Sequence, residues 1–304
     1  MATIYRALVE PLVHEFRRIT RGNGERPNAD AGLGLALGGG FARGFAHIGV
    51  LRVLEENDIP VACVAGTSVG SIIGAAYASG VTVDEMIRIC REVRFKDFAR
   101  WQISRMGLAN NARMRDLILR CFNARRFEDL RIPLAVVATD LVSGEPVVYS
   151  RGELIDPIRA SCAYPGLFEP IQLDGRYLAD GGLVAPVPTK AAAVLGARHV
   201  LGVSVGFNSW NGAPPSNVFQ ILSRAISIAQ KHRNPSWERF ADLLIEPDVH
   251  DIDWGDFERA DEIIAAGIAA ARRALPQILD LVRLPAAAPT GRLAPRAASL
   301  AEIA

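Results

Sequence analysis

The chain contains no run of 18 or more apolar residues, so no helix able to cross a bilayer is expected. Its four cysteines (Cys63, Cys90, Cys121 and Cys162) lie far apart, with no C-x-x-C pair and no metal-ligand spacing. Buried free thiols and a reducing compartment are the natural reading. The five histidines are scattered, without an H-E-x-x-H or H-x-H pair. No metal and no cofactor are expected. Charge of one sign is not in excess: 34 basic residues face 33 acidic ones, a formal net charge of +1. No overall field therefore draws the chain to nucleic acid or anionic lipid, and no basic-aromatic cluster marks a nucleic-acid groove. The first twenty residues carry charges throughout and lack the apolar core of a signal peptide, so a cytoplasmic location is expected. No internal repeat is visible, and oligomeric state is not legible.

What is present suits a globular α/β chain. Half of the 304 residues are hydrophobic, enough for a sizeable core. Residues 3–20 have apolar side chains at Ile4, Leu8, Leu12 and Phe16, the i+4 spacing of an amphipathic helix. Packing on the main domain is its plain reading; peripheral membrane contact is the functional one. Residues 21–30 are a polar linker, so residues 1–30 stand apart from a main domain over 31–283. The alanine- and proline-rich residues 284–304 read as a disordered tail.

The main domain is organised around Gly66-Thr67-Ser68-Val69-Gly70, a G-x-S-x-G. An apolar strand (61–65) precedes it and a small-residue helix (71–78) follows. Strand, sharp turn and helix hold a serine hydroxyl clear of the backbone, with helix N–H groups facing any developing negative charge. One strand earlier, residues 32–37 run into Gly38-Gly39-Gly40, and a helix is expected over 42–56. A glycine loop at a helix start bares N–H groups to an anion, either a phosphate or an oxyanion. The G-x-G-x-x-G dinucleotide pattern fails in both frames, because Arg43 or Phe41 occupies a required glycine position. If the two strands are parallel neighbours, loop and serine lie side by side.

Further along, Thr82-Val83-Asp84-Glu85 is a capping box. Residues 94–112 mix Phe95, Phe98, Trp101 and Met106 with charges and show weak periodicity; a packed irregular segment, a lid and a lipid-facing segment are all open readings. Strands are expected over 134–139 and 146–149, and Asp156-Pro157 reads as the N-cap and first residue of a short helix. Asp174-Gly175 marks a hairpin, followed at once by Asp180-Gly181-Gly182. A strand over 199–205 contains a second G-x-S-x-G around Ser204, but no helix pattern follows it, so the elbow context fails there. A helix over 217–231, a strand over 243–245 and a helix over 258–275 complete the domain.

These pieces together resemble the patatin-like phospholipases in their compact bacterial form. The glycine loop Gly38 to Gly44 with His47-Ile48-Gly49-Val50-Leu51, the elbow Gly66 to Gly70, the block Ala160 to Pro170 and Asp180-Gly181-Gly182 resemble the family's four motifs in order and spacing. The resemblance implies a three-layer α/β/α sandwich with a mostly parallel central sheet. It implies a Ser–Asp dyad acting on acyl esters of phospholipids or lysophospholipids. Ser68 carries over as nucleophile and Asp180 as base. The N–H groups of Gly39, Gly40 and Phe41 carry over as the oxyanion hole, with Arg43 beside them. Phe41 stands where the family usually has a third glycine. The hole should still form if Phe41 keeps φ below zero. Three alternatives stay open: an acyltransferase, a Ser-His-Asp esterase using a downstream histidine, and a non-catalytic interaction protein on a hydrolase scaffold. His47 is expected to pack within the first helix.

Overall fold

The computed structural model describes residues 32–102, 104–122, 124–206, 214–216, 218–232 and 238–283. The helix expected over 3–20, the linker 21–30 and the tail 284–304 lie outside them. A mixed sheet forms the middle layer. Its parallel part comprises β1 (Leu33–Leu37), β2 (Val61–Thr67), β5 (Leu134–Asp140), β9 (His199–Val203) and β10 (Leu243–Ile245), joined by β6 (Pro146–Tyr149), β7 (Ile171–Leu173) and β8 (Arg176–Asp180). The strand order is β10-β9-β1-β2-β5-β8-β7, with β6 also paired to β5. The contacts of β6, β7 and β8 are antiparallel. Apart from the sheet, β3 (Arg100–Trp101) and β4 (Ala109–Asn110) pair as a small antiparallel hairpin.

Period-2 alternation sorts the two faces. Leu33, Leu35 and Leu37 point into the large core together with Val64, Leu134, Val136, Leu201 and Val203. That face is covered by α1 (Ala46–Glu56), α2 (Val69–Ser79), α3 (Val83–Glu92), α4 (Ala112–Cys121) and, towards the end of the chain, the long helix Ala260–Arg283. Ala36, Ala65, Ala135, Val137 and Val200 face the other way, onto Ala191 and Ala192. The short helix there, α6 (Thr189–Val194), lies close because the sheet presents only small side chains to it. Helices on both faces of a central, mostly parallel sheet give the α/β/α sandwich.

Local chemistry explains most boundaries. Thr82 caps α3, its hydroxyl accepting from the Glu85 N–H at 3.2 Å. Asp174 and Gly175 adopt φ of 50° and 73°, the left-handed pair that closes a two-residue hairpin between β7 and β8. Several expectations need correction. The helix expected over 42–56 begins as a 3₁₀ turn, Phe41–Phe45, and becomes α-helical only at Ala46. The short helix α5 (Ile155–Ser161) starts one residue before Asp156, capped by Leu154, so Asp156 belongs to its first turn rather than capping it. The strand expected over 199–205 stops at Val203. The final helix continues through Pro276 to Arg283. Residues 94–112 hold a 3₁₀ turn, Phe95–Asp97, and the β3–β4 hairpin.

Candidate active site

β1 and β2 are parallel neighbours, with Leu37 opposite Gly66. The loop after β1 and the turn after β2 therefore meet at the carboxyl ends of the strands. β1 is also where the strand order reverses, since β2 lies on one side and β9 on the other. Ligand sites of open α/β sheets form at that place. Gly39 packs so closely on Ser68 that an added methyl group would sit 3.2 Å from the serine Cβ.

Ser68 occupies the turn between β2 and α2 with φ 53° and ψ −128°. A non-glycine residue in that region stores roughly 1–2 kcal/mol of strain. Three contacts hold it there. The Ser68 N–H donates to the Ser161 hydroxyl at 2.8 Å, and its carbonyl accepts from the Ser71 N–H at 2.8 Å and the Ser71 hydroxyl at 2.6 Å. The motif glycines are a matter of space. At Gly70 a Cβ would stand 2.1 Å from the Leu37 carbonyl oxygen, so any side chain there would drive α2 away from β1.

Asp180 reaches the same point from another direction. It ends β8, two strands from β2, and the register Thr67↔Val137 and Ala138↔Asp180 brings it level with Ser68. Its backbone is clamped: the N–H donates to the Ala163 carbonyl at 2.9 Å, and its carbonyl accepts from the Thr139 hydroxyl at 2.8 Å. One carboxylate oxygen accepts from the Gly182 N–H at 2.7 Å. Gly181 lies against β5, where a Cβ would sit 2.1 Å from the Val137 carbonyl oxygen. Burial raises the Asp180 pKa to about 6, while the Gly182 N–H and the nearby Ser68 side chain pull it down. The carboxylate is thus ionised at neutral pH yet more basic than an exposed aspartate.

The glycine loop is held from three sides. The Gly38 N–H donates to the Val203 carbonyl at 3.0 Å and the Gly39 N–H to the Pro186 carbonyl at 3.2 Å. His47, fully buried, donates through Nε2 to the Gly38 carbonyl at 2.8 Å. Burial lowers its pKa to about 4, so the ring is neutral and Nε2 carries the proton. The N–H groups of Gly40 and Phe41 bond to none of the described residues. Gly39, expected as a third donor to an oxyanion, already has an acceptor. The condition of a negative φ at Phe41 is not met, since its φ is 50°. Its ring is fixed edge-on between Tyr164 (centroids 5.4 Å) and Trp254 (5.0 Å). Arg43 is anchored beside the loop, its Nε donating to the Ile252 carbonyl at 2.7 Å.

Ser68, Asp180, Gly39, Gly40, Phe41, Arg43 and Gly182 all line one cavity of about 100 Å³. Gly38, Gly66, Gly70 and Gly181 lie behind it as backbone supports. Helix α7 (Val218–His232) adds Ser223, Ile226, Ser227 and Gln230 to the wall, and Gln230 donates to the Gly182 carbonyl. No histidine lines the cavity among the described residues. His199 is buried in β9, and His250 is exposed beside Asp248 at 3.9 Å. Ser204 does not line the cavity either. Cys162 lies beside Ser68 and Asp180, but burial pushes its thiol pKa up, so it stays protonated. Sequence reasoning missed the parts played by Ser161, Tyr164, Gln230 and Trp254. Only Ser161 and Tyr164 fell inside a quoted motif.

A serine on a strained strand-to-helix turn shares one cavity with a buried carboxylate and a glycine loop, on an α/β/α sandwich. The chain belongs to the patatin-like phospholipase family, whose profile matches residues 35–193. It is 35% identical over 192 residues to an uncharacterised NTE family protein of Mycobacterium tuberculosis, covering 62% of this chain and 52% of the relative. A second such protein from that organism is 30% identical over 283 residues, covering 84% and 48%. Neuropathy target esterase sws of Drosophila melanogaster is 31% identical over 258 residues, covering 81% and 17%. The chain spans about half the length of the mycobacterial relatives it matches. Among the described residues no helix is long and apolar enough to cross a membrane.

Proposed function

We propose that the protein is a serine acyl hydrolase that cleaves acyl esters of phospholipids or lysophospholipids through a Ser68–Asp180 dyad. The observation that carries the reading is the buried Asp180 carboxylate, which lines the same cavity as Ser68 and is raised to about 6 by burial. A serine hydroxyl is a weak nucleophile until a base takes its proton, and among the described residues no histidine lines the cavity to do so. Asp180 accepts that proton as Oγ attacks the ester carbonyl. The carbonyl oxygen becomes an oxyanion under the N–H groups of Gly40 and Phe41, each such donor lowering the barrier by roughly 3–4 kcal/mol. The C–O bond to the alcohol then breaks, and the alcohol leaves with the proton from Asp180. Water attacks the acyl-serine, giving its proton to Asp180, and Ser68 departs from the released acid reprotonated.

A fluorophosphonate probe followed by peptide mapping tests the nucleophile, and hydrolysis of a lipid panel tests the substrate class. Labelling at Ser68, with turnover lost in Ser68→Ala by roughly 10⁵-fold or more, is the expected result. Absence of labelling in folded protein sinks the reading in favour of a non-catalytic scaffold, and turnover retained in Ser68→Ala moves the nucleophile to another residue. Adding a long-chain alcohol to the assay separates acyl transfer from hydrolysis.

A further inference from the structure

We propose that the β3–β4 hairpin and the outer face of α7 form a docking surface for anionic lipid bilayers, delivering substrate to the cavity; this rests on the acyl-ester reading above. The hairpin leaves Trp101 67% and Met106 58% exposed. Large apolar side chains so placed are unfavourable in water unless something covers them. The neighbouring charges name the occupant. Between residues 94 and 113 stand Arg94, Lys96, Arg100, Arg105 and Arg113, against Asp97 alone. The net charge of +1 for the whole chain conceals this local excess. Among the described residues none of the five makes an ion pair with a carboxylate. Exposed Trp and Met among arginines suit a headgroup layer, where rings and thioethers enter the acyl boundary and cations meet phosphates.

The patch is joined to the site. Trp101 packs on Phe95 (centroids 5.9 Å), Phe95 on Trp254 (6.2 Å), and Trp254 on Phe41 of the glycine loop (5.0 Å). This aromatic row runs from the hairpin to the oxyanion loop. The hairpin also packs on the segment that α7 touches. The Leu108 and Ala109 N–H groups donate to the Leu167 carbonyl, and Gly166 lies against Leu222 of α7. α7 turns Ser223, Ser227 and Gln230 to the cavity and shows Val218, Ile221 and Ile228 to solvent, 75%, 55% and 47% exposed. An amphipathic helix normally turns its apolar stripe inward. Here apolar residues also line the outside of a cavity wall, as a lipid-facing element requires.

The test uses the full chain carrying Ser68→Ala, so that binding is read without turnover, and flotation with vesicles of phosphatidylcholine containing roughly a third phosphatidylglycerol. Arg100→Glu/Arg105→Glu and Trp101→Ser/Met106→Ser should each lower the bound fraction about tenfold or more, and pure phosphatidylcholine should bind less than the mixture. With Ser68 restored, the same pairs should slow hydrolysis of vesicle-borne ester while turnover of a water-soluble short-chain ester stays within about twofold. Undiminished flotation of both variants overturns the proposal. So does a shift from dimer to monomer on gel filtration with vesicle binding intact, which would make the patch a contact between copies. Because flotation is read in the Ser68→Ala chain, loss of the hydrolase reading leaves the docking result standing, and the reverse holds equally.

Discussion

The hydroxyl of Ser161 accepts the backbone N–H of Ser68 at 2.8 Å and donates to the Val137 carbonyl at 2.6 Å. One fully buried side chain thus bridges the elbow after β2 to the middle of β5. Ser161→Ala leaves a buried donor and a buried acceptor unpartnered, at about 1–3 kcal/mol. The strained φ of Ser68 also loses its nearest support. Denaturant unfolding should show that loss, and kcat for a soluble ester should fall at least about tenfold at a temperature where the variant is fully folded. Full activity in the folded variant would show that the elbow holds its own geometry.

Asp180 has a folded pKa of about 6, raised mainly by burial. If it is the base, kcat/KM for a soluble ester should fall with unit slope as pH drops through about 6. His47 is neutral above about 4 and adds no limb in that range. A profile flat down to pH 5 would remove Asp180 from the base role.

The same shift bears on stability. A carboxyl with a raised folded pKa binds more protons folded than unfolded between about 4 and 6, so its ionised form lowers stability above that window. Asp180→Asn keeps an oxygen for the Gly182 N–H and removes the buried charge. It should abolish turnover and raise stability at pH 7.5 by about 2–3 kcal/mol, a gain that vanishes near pH 4. Urea titrations at both pH values check this; a variant less stable at pH 7.5 would contradict it.

His47 works with the opposite sign. Its folded pKa of about 4 lies below the unfolded value, so its contribution is present in full above about 6.5 and lost as pH falls toward 4. In wild type this loss runs against the gain from Asp180 over much of the same interval. Asp180→Asn should therefore show a steeper fall in melting temperature between pH 6.5 and 4.5 than wild type, and His47→Gln in the Asp180→Asn background should flatten it.

Phe41 holds φ of 50° where a glycine would be unstrained. Phe41→Gly and Phe41→Ala both remove the ring from between Tyr164 and Trp254, but only alanine keeps the backbone penalty. The glycine variant should be more stable than the alanine variant by about 1 kcal/mol in urea unfolding, the reverse of their usual order. Equal or inverted stabilities would show that the loop relaxes to another φ.

Much of the framework was legible in the chain itself. Side-chain period and turn chemistry are local properties, so β1, β2, β5, the Asp174-Gly175 hairpin and the Thr82 cap could be read from neighbours alone. Ser68 stood out from Ser204 because a helix pattern follows only the first. That the glycine loop and the elbow lie side by side followed from two adjacent strands, once they proved parallel. The tertiary structure decided what depends on chain segments far apart. The Asp180 pKa comes from burial across two strands, and the Gly39 N–H was taken by Pro186, 147 positions later. The left-handed φ of Phe41 is offset by rings from Tyr164 and Trp254, which no local preference announces. Backbone period is set within a few residues, whereas burial, hydrogen-bond acceptors and ring contacts are set by whatever the fold brings alongside.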